Sequence, residues 1–188
     1  QLLAKMRKGV DIPNQLLPQG PGVVISSGGS CAGPHHCLQP SSHLDQSAIA
    51  TGKWLQKQGL EPKNCHLLNP LPLHHVSGLM PWWRSRLWDC EHTWLMPSLM
   101  HHPIALEQFC KSLLQKKNGP LLISLVPTHL QRLIEHQAGL DCLQAFDVIW
   151  IGGSGLSTRL AEKARENKVR LAPCYGSTET AAMVTVLA

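Results

Sequence analysis

Val148-Ile-Trp-Ile-Gly-Gly-Ser-Gly-Leu-Ser157 is the stretch on which the fold turns. Four apolar residues, Val148 to Ile151, have the length and branching of a buried strand, and they run straight into a Gly/Ser turn. Ser157 then stands where a helix N-cap belongs, because its hydroxyl can accept a bond from an otherwise unpaired amide of the first turn. Leu160, Ala161 and Ala164 follow at helical spacing, and a further apolar run, Val169 to Ala172, reads as the next strand. Strand, turn, helix and strand in that order make one βαβ unit.

The same rhythm extends outward. Upstream, Leu121 to Val126 is a continuous apolar strand. Pro127 opens a helix carrying Leu130, Leu133 and Ile134, and Gly139 is expected to end it. Before that, Pro103 suits the first position of a helix with Leu106, Phe109, Leu113 and Leu114 in an apolar stripe, closed by Lys116, Lys117 and Gly119. Strands are expected at Cys65 to Leu68 and at His92 to Met96, with a helix from Val76 to Leu87 between them. Trp82, Trp83 and Trp88 of that helix read as packing residues. Nearer the start, Val23 to Ile25 is a strand. A helix capped by Ser41 or Ser42 turns Leu44, Ala48, Thr51 and Leu55 inward and ends at Gly59, and Met183 to Leu187 is a last strand. Strand and helix alternate about six times, which predicts an α/β fold: a mostly parallel sheet with helices on both faces. Ligands of such folds bind beyond the carboxyl ends of the strands.

Three stretches at expected strand ends carry chemistry. Val23-Val-Ile-Ser-Ser-Gly-Gly-Ser-Cys-Ala-Gly-Pro34 is a strand opening into a loop. In that loop Ser26, Ser27, Gly28, Gly29 and Ser30 can offer hydroxyls and backbone amides to phosphate oxygens. Pro70-Leu-Pro-Leu-His-His-Val-Ser-Gly-Leu79 places His75 after another strand. Tyr175-Gly-Ser-Thr-Glu-Thr180 joins an aromatic face able to stack a base, the flexible Gly176, a hydroxyl able to bond a phosphate oxygen (Thr178), and a carboxylate able to hold Mg²⁺ (Glu179). Any one of these alone would be read as a polar turn.

In this order they resemble the signature motifs of the AMP-forming adenylating enzymes, the acyl-CoA ligase superfamily. There a Ser/Thr/Gly-rich loop ending in Pro-Lys precedes Pro-Leu-x-His, which precedes Tyr-Gly-x-Thr-Glu. Ile151-Gly-Gly-Ser-Gly-Leu156 resembles the family's Gly-Gly-Ala-Pro-Leu turn, and Val126-Pro-Thr-His-Leu130 resembles a further segment. Within the superfamily the likeness points to o-succinylbenzoate–CoA ligases of menaquinone and phylloquinone synthesis, the cyanobacterial type in particular; a ligase for another aryl or fatty acid, or a catalytically silent piece that keeps the fold, is the alternative. It implies that residues 1–22 are a loop or partial segment and residues 23–188 part of the large N-terminal AMP-binding domain. It implies ATP, Mg²⁺ and coenzyme A as cofactor and co-substrates, and a small-molecule carboxylic acid as the partner; a homodimer is compatible with it. It also implies roles. Ser26, Ser27, Gly28, Gly29 and Ser30 wrap the β- and γ-phosphates. Thr178 bonds the α-phosphate, and Glu179 binds the metal. Tyr175 and Gly176 lie on one side of adenine, with Gly153, Ser154 and Gly155 on the other. His75 stands at the boundary of the acyl and nucleotide sites.

Two departures from the family pattern are visible. Pro34 is followed by His35-His36 where the family has lysine; protonated imidazole beside phosphate can partly replace the ammonium. The ribose-binding aspartate, hinge and lysine-bearing small domain of the family have no counterpart among these 188 residues, so the chain alone is expected to bind nucleotide weakly and to turn over slowly or not at all.

Composition agrees and excludes other classes. The 188 residues are 43% apolar and no run approaches a membrane span of about 20 residues. A net charge of +5 suits an anionic small molecule, without the dense basic run of a nucleic-acid face. Seven cysteines, an odd number without a C-x-x-C, favour a reducing cytoplasm over a disulfide framework. Cys31 to Cys37 brackets two histidines too tightly for a closed zinc site. Gly152-Gly-Ser-Gly155 lacks the second glycine of a hydrolase elbow, and no Asp-then-His pair can follow it. No G-x-x-x-x-G-K-[ST] occurs.

Overall fold

The computed structural model describes residues 20–27, 35–116 and 119–186. Two strands, β1 (Gly22–Ser27) and β2 (His35–Pro40), pair antiparallel as a separate ribbon. The main sheet contains β3 (His66–Asn69), β4 (Glu91–Trp94), β5 (Leu121–Leu125), β6 (Val148–Ile151), β7 (Leu171–Ser177) and β8 (Ala182–Val186), in the order β4-β3-β5-β6-β7-β8. All neighbours pair parallel except β7 and β8, which form an antiparallel hairpin. The helices are α1 (Ser41–Lys57), α2 (Val76–Trp88), α3 (Pro103–Lys116), α4 (Pro127–Ile134), α5 (Gln137–Gln144) and α6 (Thr158–Glu166).

Alternation along each central strand explains its unbroken apolar sequence. Leu121, Ile123 and Leu125 of β5 and Ile149 and Ile151 of β6 pack with Leu106, Leu130, Leu143 and Ala164 from α3, α4, α5 and α6. Leu122, Val148 and Trp150 point the other way, into a layer with Leu55 of α1 and Leu67 of β3. Both faces are therefore covered, as the continuous strands require.

Several expectations needed correction. The strand starting at Val23 is not part of the parallel sheet; it pairs with β2, which the sequence reading missed, so the Ser/Gly loop leaves the ribbon. Gly28, Gly29 and Ser30 of that loop lie outside the described residues. Ser41 is the first residue of α1 rather than its cap. Its amide and hydroxyl both donate to the Pro21 carbonyl, at 3.0 and 3.1 Å, and so tie α1 to the ribbon. Gly139 does not end α4 but is buried inside the separate helix α5, where a Cβ would meet the Leu133 carbonyl oxygen at 2.2 Å. Leu114 is exposed rather than inward, and Trp82, 37% exposed, packs less than Trp83 and Trp88. Ser157 does cap α6, its Oγ accepting from the Leu160 amide at 3.3 Å. β7 starts two residues later than expected and runs on through Tyr175, Gly176 and Ser177, so the turn proper begins at Thr178.

The chain crosses from β3 outward to β4, then returns to place β5 on the other side of β3. That reversal is the point where a doubly wound sheet opens a crevice beyond its strand carboxyl ends.

Candidate functional site

A cavity of about 480 Å³ lies at that place. Its floor is the carboxyl end of the sheet: Ser124, Leu125 and Val126 from β5 and its exit, Trp150 and Gly152 from β6, Cys174 and Gly176 from β7. Leu71, His75 and Met80 form one wall, and Thr178, Glu179 and Met183 another. Small-molecule pockets typically fall in this size range and mix apolar walls with a few placed polar groups.

Local chemistry explains why each wall stands where it does. Asn69, wholly buried at the end of β3, donates from Nδ2 to the Gly78 carbonyl at 2.7 Å and accepts from the Leu71 amide at 3.1 Å. The loop from Leu71 to His75 is thereby folded back over the start of α2, and the His75 carbonyl accepts the amides of Gly78 and Leu79 at 3.1 and 3.0 Å. His75, at the cap position of α2, is half-buried, with its ring 4.3 Å from that of His74. Pro81 inside α2 removes the amide that would have bonded the Ser77 carbonyl, and Ser77 borders the cavity. Gly153 adopts φ +86°, a left-handed conformation that glycine takes without strain, and so the turn after β6 runs along the cavity edge. A Cβ on Gly176 would lie 1.7 Å from the Ala182 carbonyl oxygen; only glycine lets β8 approach β7 this closely.

The structure brings His75, Gly153, Gly176, Thr178 and Glu179 to one cavity. Ser154 and Gly155 are exposed on the turn and do not line it. Tyr175 is 75% exposed and also lies outside it, as strand alternation requires when Cys174 and Gly176 face inward. Ser26 lies in β1 opposite His36, and Ser27 opposite His35, away from the cavity lining. Glu179 is exposed at the turn, and among the described residues no three His, Cys, Asp or Glu side chains gather as a metal site. A single carboxylate at a cavity wall fits the donor set of Mg²⁺, which takes one or two protein carboxylates and completes its shell with other oxygens.

The sequence reading missed Arg84. It is 2% exposed, borders the cavity, and stacks its guanidinium over the Trp150 ring at 5.2 Å. Its Nε and Nη2 are buried without a hydrogen-bond partner among the described residues. Burial lowers its pKa to about 10, opposed in small part by the nearby Cys174, and it stays a cation at neutral pH. A buried, unpaired charge is costly, which makes one at a cavity wall a candidate binding group. The signal in the sequence was one arginine within the apolar run from Leu79 to Trp83 and Leu87, too little to separate it from the exposed Arg86.

Comparison with known proteins agrees with the geometry. The AMP-binding enzyme family matches residues 40–188. The chain is 28% identical over 155 residues to the 2-succinylbenzoate–CoA ligase of Oceanobacillus iheyensis, covering 82% of this chain and 28% of that protein. In fold it is similar to the o-succinylbenzoate coenzyme A synthetase of Bacillus subtilis solved with ATP and magnesium. The TM-score is 0.67 at 23% identity, over 88% of this chain and 32% of the other. It is likewise similar to an AMP-forming acyl-CoA synthetase-like protein of Dyadobacter fermentans, with a TM-score of 0.69 at 23% identity over 98% of this chain and 46% of that one. The chain thus spans less than a third of the length of the curated ligase it matches. With the doubly wound sheet, the cavity at its carboxyl ends and a family match over residues 40–188, the chain belongs to the AMP-binding enzyme family.

Proposed function

We propose that the cavity is the adenylate-forming site of an ATP-dependent carboxylate–CoA ligase whose acid is o-succinylbenzoate. The observation that carries the choice of acid is Arg84. A ligase activates one carboxylate, and a monocarboxylic acid would leave the guanidinium buried and unanswered. An aromatic acid with a second carboxylate places that anion beside Arg84 and its ring against Trp150, Met80 and Leu125. The similarity to 2-succinylbenzoate–CoA ligase supports the same choice.

In this reading the acid's other carboxylate attacks the α-phosphorus of ATP, the bond to the β-phosphate breaks, and pyrophosphate leaves. Coenzyme A thiol then displaces AMP from the acyl-adenylate. The residues hold and orient more than they react. Thr178 donates to the α-phosphate. Ser26 and Ser27 stand outside the cavity lining, and their part in this reading is with the outer phosphates, which project from it, together with Gly28, Gly29 and Ser30. Tyr175 stacks on adenine opposite Gly153, Ser154 and Gly155, and its exposure suits a base lying across the cavity mouth. His75 separates the acid from the nucleotide. Glu179 would hold Mg²⁺, whose charge offsets that building on the departing pyrophosphate. A reducing, cytoplasmic setting suits the six described cysteines, all free.

The test is acid-dependent exchange of labelled pyrophosphate into ATP, run with o-succinylbenzoate, benzoate, acetate and a long-chain fatty acid. Exchange with o-succinylbenzoate well above the rest is expected. Equal or greater exchange with acetate or the fatty acid would overturn the acid while leaving the family intact.

A further inference from the structure

The geometry points to Gln39 as the positioning residue that sets the phosphate-facing turn at Thr178 and Glu179, and this rests on the nucleotide reading above. Gln39 lies on β2 and is 3% exposed. Its Nε2 donates to the Thr178 carbonyl at 2.7 Å and to the Glu179 carbonyl at 2.9 Å. Both neighbours are carbonyl oxygens, so only the amino end of the side chain can face them. Gln39 Oε1 is buried without a partner among the described residues, so the side chain remains there at a cost in desolvation.

The contact belongs to a wider clamp. Cys37, two residues earlier and on the same strand face, sets its Sγ 3.8 Å from the Thr178 carbonyl. From α1, Ser47 Oγ donates to the Ala181 carbonyl at 2.8 Å. The turn's own bonds centre on Thr180, whose Oγ1 accepts the Ser177 amide at 2.9 Å and faces the Ser177 and Ala182 carbonyls at 3.1 and 2.9 Å, while Thr178 takes part through its carbonyl, which accepts the Ala181 amide at 3.3 Å. The turn also follows a register shift at Tyr175/Gly176 in an edge hairpin, where the ladder by itself fixes position poorly. The ribbon that holds the turn is the one whose two strands are joined by the Ser/Gly loop. One buried amide thereby fixes the turn against β2 of the ribbon. Gln39 touches neither the metal nor the phosphates; it acts through the backbone of Thr178 and Glu179.

The experiment compares the wild-type chain with Gln39→Met, which keeps the shape and removes both donors, and with Gln39→Glu, which keeps the shape and offers only acceptors when ionised. Gln39→Glu also serves should Gln39→Met fail to fold. Amide hydrogen exchange is followed by NMR, with calorimetric titration of Mg·ATP. Exchange at Thr178, Glu179 and Thr180 should rise about tenfold or more, the scale of one to two lost hydrogen bonds, while Ile123 and Ile149 stay protected. Affinity for Mg·ATP should fall about tenfold and need more Mg²⁺ to saturate. Unchanged exchange at the turn overturns the inference, as does a loosened turn with unchanged Mg·ATP affinity. Wild-type chain that binds no Mg·ATP overturns the nucleotide reading instead, and the exchange data then decide by themselves whether Gln39 holds the turn.

Discussion

Arg170 and Arg84 stand at opposite ends of one sheet. At the amino end, just before β7, Arg170 places Nη1 3.2 Å from Asp147 Oδ1, donates from Nε to the Phe146 carbonyl at 2.9 Å, and from Nη2 to the Gln144 carbonyl at 3.3 Å. Asp147 in turn accepts the Leu121 amide at 2.9 Å, so three strand starts are tied together. Arg84, at the carboxyl end, is far more buried and leaves Nε and Nη2 unanswered. The polar groups of the amino rim close on one another and hold the fold. The carboxyl rim keeps a cation, a bent glycine turn and a carboxylate facing a cavity. A buried arginine left unanswered beside a cavity, where the arginine of the other rim is answered on every side, marks where a ligand belongs.

That contrast can be broken first at the cavity's own backbone. Gly176→Ala forces a Cβ onto the Ala182 carbonyl and should destabilise by about 3 kcal/mol or more, since the β7–β8 hairpin must move. Gly155→Ala, where a Cβ meets nothing within 4 Å, should stay within about 0.5 kcal/mol. Urea denaturation of both variants makes the comparison; equal costs would mean that the close approach at Gly176 is not real.

At the amino rim, Asp147→Ala leaves the Leu121 amide and Arg170 without their carboxylate and should cost about 1–3 kcal/mol, discounted toward the low end because the pair is partly exposed. A thermal melt indistinguishable from wild type would show that the rim does not hold the strands.

The smallest effect concerns pH. Burial pushes His92, half-buried on β4 against Trp94, down to about 4. The folded chain then holds this imidazole neutral where the unfolded chain, near 6.5, takes up a proton. Its contribution is present above pH 6.5 and is lost as pH falls from 6.5 toward 4. His92→Leu should flatten that part of the stability–pH curve; an unchanged slope would assign the acid sensitivity elsewhere, His129 being the other histidine lowered by burial.

Much of this was legible in the sequence, for physical reasons that differ by residue. Leu121 to Leu125 and Val148 to Ile151 announce a sheet covered on both faces, because burial on both sides leaves no polar alternation. Pro127, Pro103 and Ser157 mark helix starts through chemistry local to the chain. The ribbon was not legible, because β2, His-His-Cys-Leu-Gln-Pro, has neither an apolar run nor clean alternation, and its pairing with β1 is tertiary. His75, Thr178 and Glu179 were found through motif order and do reach one cavity. Gln39, Asn69 and Arg84 were not, since a buried polar residue looks like an exposed one until its neighbours are known.

If Arg84 holds the second carboxylate of the acid, removing its charge must cost affinity for that acid alone. This is tested most directly by calorimetric titration of o-succinylbenzoate into the AMP-saturated chain, wild type against Arg84→Met. Exchanging an unpaired buried charge for an apolar side chain of similar length should leave the melting temperature unchanged or raised. Affinity for o-succinylbenzoate should fall about 100-fold, equivalent to about 2.7 kcal/mol for a charge-assisted pair, while AMP affinity is unaltered. Equal affinity of the two proteins for o-succinylbenzoate, with both folded and both binding AMP, would contradict it.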